Sequence, residues 1–546
     1  MAANWLGLVA IGVFYIIILV TGIWASWKSK HEEKKSPGSL SEVTMVGGRN
    51  LNTWVSIFTM TATWVGGGYI LGSAEVIYNP TKGLLWAVGP IAFALNLILG
   101  GVALVKPIRS KKYVTLMDPF QEKYGNTVGA VLFIPVIIGD ILWIACILSA
   151  LGGTVSVIMD IPSTLSVGIS AAVAIIYTAI GGLYSVAYTD VIQLCFMLVG
   201  LWLCVPFVLA SPHAANLTVA AVTKLYQDPW IGKLDLENSG RWIDELLLLS
   251  IGGICYQSFY QRVLSTATDA QAKITCYAGA VLCPILGIPS LIVGAVAAST
   301  NWNQTSFGSP SPYEQGKAGQ ILPITLQHLC PFYISMIGIG ALTASVMSSA
   351  DSVLLSAASQ LGRNIFKNLI YKRASEKSIL VVVKVSVFLC GLIGAGLAMT
   401  SNSVHLFWII SADVLYSMMT AQVLCTFFLP QYVNQYGVCF GFVFAILVRA
   451  LVGEPLIGLP DILPLPLDKI QEDGRRHRLL PFRTIIMILT VGTIVLVSQV
   501  AERLPKKRPL QMAINAETDG IACNMEIIED DVNEKDNLQN KAIEKD

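Results

Sequence analysis

The chain has 546 residues, 54% of them hydrophobic and only 13% charged, and 36 basic against 35 acidic residues leave a formal net charge of +1. A soluble protein of this length needs roughly a quarter charged residues to cover its surface, so a soluble globule is excluded and the missing polar surface faces lipid. Near-neutrality leaves no basic field for nucleic acid, and the 11 cysteines offer neither a CxxC pair nor a zinc-like Cys/His spacing.

Apolar runs of roughly 20 residues cross a bilayer as helices, because a helix satisfies its own backbone polar groups in hydrocarbon. About thirteen are predicted: 5–26, 51–78, 82–106, 127–158, 162–183, 190–210, 242–263, 272–298, 323–350, 379–400, 404–428, 434–453 and 482–501. The first lacks a basic leader and a small-residue cleavage site, so it reads as a retained span. Basic residues follow the first span (Lys28, Lys30, Lys34, Lys35, Arg49), the third (Arg109, Lys111, Lys112) and the ninth (Arg363, Lys367, Lys372, Arg373). All three loops fall on one side, which the positive-inside rule makes cytoplasmic, with the N-terminus outside and the C-terminus inside.

The second span carries Trp64-Val65-Gly66-Gly67-Gly68-Tyr69, and three glycines in a helix cost about 1 kcal/mol each relative to alanine, so the helix is expected to unwind there. Five spans later the run 242–263 carries Gly252-Gly253. Two five-span units that each open on a broken helix insert with opposite topology, an inverted repeat whose unwound backbone lines a cavity at mid-membrane. The plainer reading is that the glycines let helices pack closely.

The long loops after the sixth and eighth spans carry the sequons Asn216-Leu217-Thr218 and Asn303-Gln304-Thr305 on the predicted outer face, with glycosylation expected at Asn303. The ninth span ends in Thr343-Ala344-Ser345-Val346-Met347-Ser348-Ser349-Ala350-Asp351-Ser352. Hydroxyls together with freed carbonyls suit a hard cation such as sodium. Serines also bond back to their own helix, and Asp351 is either an intramembrane functional acid or a solvated cap at the end of the span. Arg475, Arg476 and Arg478, before the last span, lie on the outer side against the positive-inside rule. From Ala516 onward the composition is acidic and poor in large apolar residues, so a disordered tail is expected, either regulatory or simply solubilising.

Trp64 adjoins the first break, Tyr256 and Tyr260 flank the second, and Trp143 and Trp408 lie inside aliphatic spans rather than in interfacial belts. Converging rings would form a cage for a quaternary ammonium, which has charge but no N–H donor, whereas isolated rings would simply pack. The sequence contains no H-E-x-x-H, no G-x-S-x-G and no phosphate loop, so neither an enzyme nor an ATP-driven pump is indicated.

The stretches Thr59 to Tyr69, Gly181 to Asp190 (GGLYSVAYTD), Asn301 to Thr305 (NWNQT), Val346 to Ser352 (VMSSADS), Asp118-Pro119-Phe120-Gln121 and Gln261-Arg262-Val263-Leu264-Ser265 resemble the choline-carrying members of the sodium/solute symporter family, from the first span to about residue 505. The resemblance implies an all-α membrane protein of about 13 spans with a five-plus-five inverted repeat. It also implies sodium-driven, chloride-dependent choline uptake by alternating access at the plasma membrane, with synaptic vesicles as a further location. It places sodium on the Ser348 and Ser349 hydroxyls, the Ser345 carbonyl and the carbonyls of Ser56 and Thr59, with Asp351 supporting ion coupling. The substrate cage maps onto Trp64, Phe93, Trp143, Tyr256 and Trp408. Phe93 stands where the family has Tyr and Tyr256 where it has Trp, each weakening cation–π binding by a fraction of about 1 kcal/mol.

The expected organisation is 1–50 (N-terminus, first span and loop), 51–210 and 242–428 (the two repeats), 429–505 (two further spans) and 506–546 (tail). Expected partners are choline or a similar quaternary ammonium, sodium, chloride and the lipid bilayer. No organic cofactor and no nucleic acid are expected, and an oligomer is compatible with the sequence. The competing readings are a transporter of another quaternary amine or small organic solute, and a sensor or uncoupled ion channel on the same fold.

Overall fold

The structure, a computed structural model, describes residues 39–180, 182–454, 458–470 and 476–504, with residues 12, 16, 20–24 and 27 of the predicted first span. Most of that span, the Lys28–Lys35 cluster, Gly181, Arg475 and the predicted tail from residue 506 lie outside the described residues.

The main helices are α1 (Thr53–Trp64), α2 (Gly67–Tyr78), α3 (Leu84–Ser110), α4 (Asn126–Met159), α5 (Ser163–Ile180), α6 (Leu183–Leu209), α7 (Ser239–Ser250), α8 (Gln257–Ser265), α9 (Asp269–Ala298), α10 (Phe332–Gln360, continued by a wider-turn segment to Ile370), α11 (Glu376–Ala398), α12 (Val404–Met418), α13 (Thr420–Phe428), α14 (Gln435–Val452) and α15 (Phe482–Arg503). Eight described helices are long and apolar enough to cross a bilayer alone, nine if the bent pair α12–α13 counts as one. The chain is therefore a multi-pass membrane protein.

Packing is reciprocal. Taking α1–α2 through α6 as one half and α7–α8 through α12–α13 as the other, the third helix of each half packs on the last of the opposite half, as α4 on α12 and α10 on α6. The two third helices also touch each other, and α9 covers α1–α2 as α3 covers α7. Exchange of equivalent contacts of this kind follows from a two-fold relation between repeats. It puts both interrupted helices against the other half.

Two predicted spans differ from the sequence reading. The predicted span 323–350 is a short helix, Ile321–Leu329, followed by the separate α10, because Pro331 forces Cys330 into extended backbone (φ −99, ψ 153) and starts a new helix. Asp351 consequently sits within α10 and is fully buried rather than capping its end. The predicted single span 404–428 bends by 43° at Met419, where neither glycine nor proline signals it. Thr420 at the bend lies against Cys255 of the second break (Oγ1 to Sγ 3.4 Å), so tertiary contact accompanies a bend the sequence does not announce.

The exception to the positive-inside pattern also finds its reason. Arg476 and Arg478 pair with Asp461, and Arg478 reaches Asp468 at 3.2 Å. Their charge is neutralised locally and weighs little on topology.

Candidate functional site

The first break lies where the sequence puts it. Val65 leaves helical geometry (φ −88, ψ 62), Gly66 is extended, and Gly67 and Gly68 already belong to α2. Both readings of the glycines hold together. A Cβ on Gly66 would lie 2.3 Å from Ser349 Oγ, one on Gly67 2.9 Å from Ala150 Cβ, and one on Gly68 2.8 Å from Cys146 Sγ. The glycines therefore let the unwound strand press directly on α10 and α4.

A helix that stops leaves its last four carbonyls without intrahelical donors. At the end of α1 these face the hydroxyl row of α10. Ser348 donates to the Ala62 carbonyl at 3.1 Å and to the Ser345 carbonyl at 2.9 Å, while Ser345 donates to the Val65 carbonyl at 2.8 Å. Ser349, against Gly66, donates back to Val346 at 3.0 Å. The result is a cluster of neutral oxygens from two elements, all buried, the donor set a small hard cation takes up with little net charge.

The carbonyls expected from Ser56 and Thr59 are not the ones brought here. Ser56 precedes Ala62 by six residues, about 9 Å along a helix. The Thr59 carbonyl accepts from Thr63 Oγ1 at 2.7 Å. Counting back four residues from the first glycine, rather than seven to ten, would have found Ala62 and Val65 in the sequence.

Below this cluster lies a buried charged network. Asp190 on α6 pairs with Arg262 on α8 at 3.4 Å and accepts from the Thr59 hydroxyl, while Arg262 donates to Ser352, whose hydroxyl in turn donates to the Ser348 carbonyl at 2.9 Å. Asp351 accepts from Thr178 Oγ1 at 2.6 Å. Truncating one member of such a set leaves the rest of a buried charge uncompensated.

On the other side of the break, the rings named from the sequence converge. The Trp64 ring lies 5.1 Å from Phe93, 6.0 Å from Trp143 and 6.1 Å from Tyr256, Trp143 lies 4.4 Å from Tyr256, and Phe93 lies 5.5 Å from Trp408 (all between centroids). All five side chains are at least 94% buried, which fixes them in a common contact rather than at separate lipid-facing positions. Tyr69, beyond the five rings named from the sequence, completes the cluster at 5.3 Å from Phe93 and 6.2 Å from Trp408. It stands five residues past Trp64 across the break, and its hydroxyl donates to the Cys283 carbonyl at 2.9 Å. Tyr260 is not in the cluster; its ring contact is Phe259 at 5.8 Å.

The second break differs in chemistry. Between α7 and α8 the chain makes a tight turn over Gly252–Cys255, and the freed Ser250 carbonyl is taken by the Asn96 side-chain amide at 2.7 Å. Tyr256 leaves the turn in extended geometry, and its hydroxyl meets Ser411 Oγ at 2.7 Å, which donates on to the Gly139 carbonyl at 2.9 Å. These bonds aim the Tyr256 ring at Trp64 and Trp143.

A cavity of about 710 Å³ opens beside the cluster, at the end of α2 and the start of α12. His405 at its wall lies 6.1 Å from the Trp408 ring and 2.8 Å from Lys82 Nζ. Farther out, the sequon residues Asn216 and Asn303 are both exposed, and Asn216 also caps a short helix through the Thr218 and Val219 amides.

Comparison with known proteins agrees with this geometry. The model of the Sodium:solute symporter family matches residues 45–444. The chain is 45% identical over 498 residues to the human High affinity choline transporter 1, covering 91% of this chain and 85% of that one. It is 44% identical over 488 residues to the Torpedo marmorata High-affinity choline transporter 1, covering 89% and 83%. Among solved structures, a Na+-coupled sialic acid symporter in a substrate-bound outward-open state superposes with a TM-score of 0.68 at 16% identity, covering 90% of this chain and 98% of that one, a likeness of fold. With breaks, reciprocal repeats and family match in agreement, the chain belongs to the sodium:solute symporter family and has its five-plus-five inverted-repeat fold.

Proposed function

We propose that this protein is a sodium-coupled, chloride-dependent symporter that imports choline by alternating access. The observation that carries the reading is that one stretch, Ala62 to Gly66, serves both sites. The carbonyls of Ala62 and Val65 face the hydroxyls of α10, while the ring of Trp64, between them, is packed in the aromatic cluster. Sodium bound by Ala62, Val65, Ser345, Ser348 and Ser349 fixes the strand, and the strand fixes Trp64. Each ligand then raises the affinity for the other, as linkage requires.

The rings of Trp64, Phe93, Trp143, Tyr256 and Trp408, with Tyr69, hold the trimethylammonium group by their faces. Because they touch one another, choline enters as they part and is enclosed as they close. Asp351 belongs to the coupling machinery through its position on the same helix as the serines. In this reading 51–210 and 242–428 are the moving repeats, the N-terminus is outside, the tail is cytoplasmic, the membrane is the plasma membrane and Asn303 is the glycosylated asparagine. Support comes from the family membership and from the names of the 44–45% identical relatives.

The test is radiolabelled choline uptake in cells expressing the chain, with sodium replaced by N-methylglucamine and chloride by gluconate in turn. Uptake is expected to require both ions and to fall at least about tenfold in Trp64→Ala at equal surface abundance, the loss of one desolvated cation–π contact. Sodium-independent uptake, or Trp64→Ala at full rate, overturns the reading. A second reading, another quaternary amine as preferred substrate, is favoured by Phe93 and by the Tyr256 hydroxyl bonded to Ser411. Competition by betaine and acetylcholine in the same assay decides between them.

A further inference from the structure

The two sites above leave unused a charged cavity at the far end of α10. About 560 Å³ in volume, it opens between the α3–α4 connection, the short helix Asp118–Tyr124 and the segment that continues α10. Lys111, Lys112, Arg363, Lys367 and Lys372 line it, against the carboxylates of Asp118 and Glu122. Arg363 is held by Asp118 at 3.2 Å, Lys111 by Glu122 at 3.2 Å and Lys367 by Glu376 at 3.6 Å. Both lining acids remain ionised. The Tyr113 hydroxyl and Lys111 pull the Glu122 carboxyl below its usual range, and although burial opposes it, Arg363 keeps Asp118 low as well. Lys112 and Lys372 have no ion-pair partner among the described residues, so the cavity keeps a positive surplus contributed by loops from opposite halves of the molecule.

We propose that the acidic C-terminal segment of this chain, residues 516–546, seats in this cavity and bridges its two loops. The segment has ten acids and three lysines, a net charge of −7, with Glu526, Glu529, Asp530, Asp531, Glu534 and Asp536 concentrated in eleven residues. A short chain of contacts links α15 to the helix that lines the cavity. Ser498 near the end of α15 is bonded to Asn434 (3.0 Å), and Pro430 in the same loop accepts from Lys123 Nζ (2.7 Å), a residue of the short helix that lines the cavity. From Leu504 to Glu526 is 22 residues, a contour of up to about 70 Å, so the acidic run has the length to reach the cavity. Tethering of this kind gives an effective concentration of about millimolar, which a free anion does not match.

The consequence is regulatory. Asp118 to Arg363 and Gln121 to Asn364 (2.9 Å) already join the two halves on this face. A polyanion lying across Lys112 and Lys372 strengthens that joint and restrains its opening, so the seated segment slows turnover. The docking itself does not depend on which substrate is carried; only the uptake arm of the test rests on the proposed function.

The experiment uses the full chain in native membranes, treated with a zero-length carbodiimide and mapped by mass spectrometry. Cross-links from Lys111 and Lys367 to carboxylates between 517 and 546 are expected, falling at least about fivefold in 0.5 M salt, where charge attraction is screened, and equally in Lys112→Glu/Lys372→Glu. Choline uptake is expected to rise about twofold to threefold both in that variant and when the six clustered acids are changed to their amides, with no further rise on combination. Tail cross-links that ignore the lysine reversal, or additive effects on uptake, overturn the proposal. So does retention of the cavity lysines by phosphoinositide vesicles while the tail stays uncross-linked, which assigns the cavity to a lipid headgroup instead.

Discussion

The two interrupted helices occupy equivalent places in the two repeats, yet their freed carbonyls meet different partners. At the end of α1 the Ala62 and Val65 carbonyls face serine hydroxyls, groups able to turn and offer a lone pair to a cation. At the end of α7 the Ser250 carbonyl is taken by the Asn96 amide, a donor no cation replaces. One break thus faces groups able to ligate a cation, while the freed carbonyl of the other is taken up by the protein's own amide. The lesson is that the repeat supplies two unwound helices, while the residue facing each one decides whether it binds a ligand or only positions a side chain.

The sharpest way to break this contrast is steric. Gly66→Ala places a methyl 2.3 Å from Ser349 Oγ and 2.4 Å from its Cβ, which has nowhere to rotate, whereas Gly252→Ala meets Tyr416 Cβ at 3.0 Å, a contact a small shift relieves. We expect Gly66→Ala to abolish sodium-driven uptake, an overpacking cost of about 1–3 kcal/mol or more borne at the ion site. Gly252→Ala is expected to retain measurable transport. Equal loss in both removes the distinction.

Smaller and more specific is the pair Ser348→Ala and Asn96→Ala. Removing the Ser348 hydroxyl is expected to raise the sodium concentration for half-maximal uptake about 10- to 100-fold, the loss of one charge-assisted contact of about 1.5–3 kcal/mol. Asn96→Ala leaves a buried carbonyl unpaired and costs about 1–3 kcal/mol of stability. It should lower the melting temperature in detergent while leaving the sodium dependence of the surviving protein unchanged. A shift in sodium dependence with Asn96→Ala would show that both breaks bind the ion.

The smallest effect belongs to the rings. Tyr256→Trp enlarges the ring face against Trp64 and Trp143 but loses the bond to Ser411, so a net change in choline half-saturation of only about two- to fivefold is expected, in line with about 0.5–1 kcal/mol. Competition binding at fixed sodium measures it. A change above about 30-fold would make the Tyr256 hydroxyl, rather than its ring, the feature that matters.

Much of this site is legible along the chain because its elements violate local rules. Three adjacent glycines in an apolar run, tryptophans away from the interface and a row of hydroxyls in one helix are each visible without a fold. What escaped were matters of partner and register. The carbonyls that meet the serine hydroxyls are those of Ala62 and Val65 rather than those of Ser56 and Thr59, because only the last turn of a stopped helix has carbonyls to give. Tyr69 joins the cluster without a local signal, since nothing near it in sequence says that the chain after the break turns it toward Phe93.

By itself, the sequence determined that this chain lives in a membrane, that two of its helices are interrupted, and which side chains have the chemistry for a hard cation and for a ring-lined pocket. Composition and glycine content act locally, and a local signal survives in one dimension. Only the tertiary structure decided that Asp351 lies within a helix, that α12 and α13 bend at Met419, that Arg476 and Arg478 are neutralised, and that one break faces serine hydroxyls while the freed carbonyl of the other is taken up by Asn96. Those outcomes depend on which surface of one repeat presses on the other, and no residue's neighbours in sequence record that.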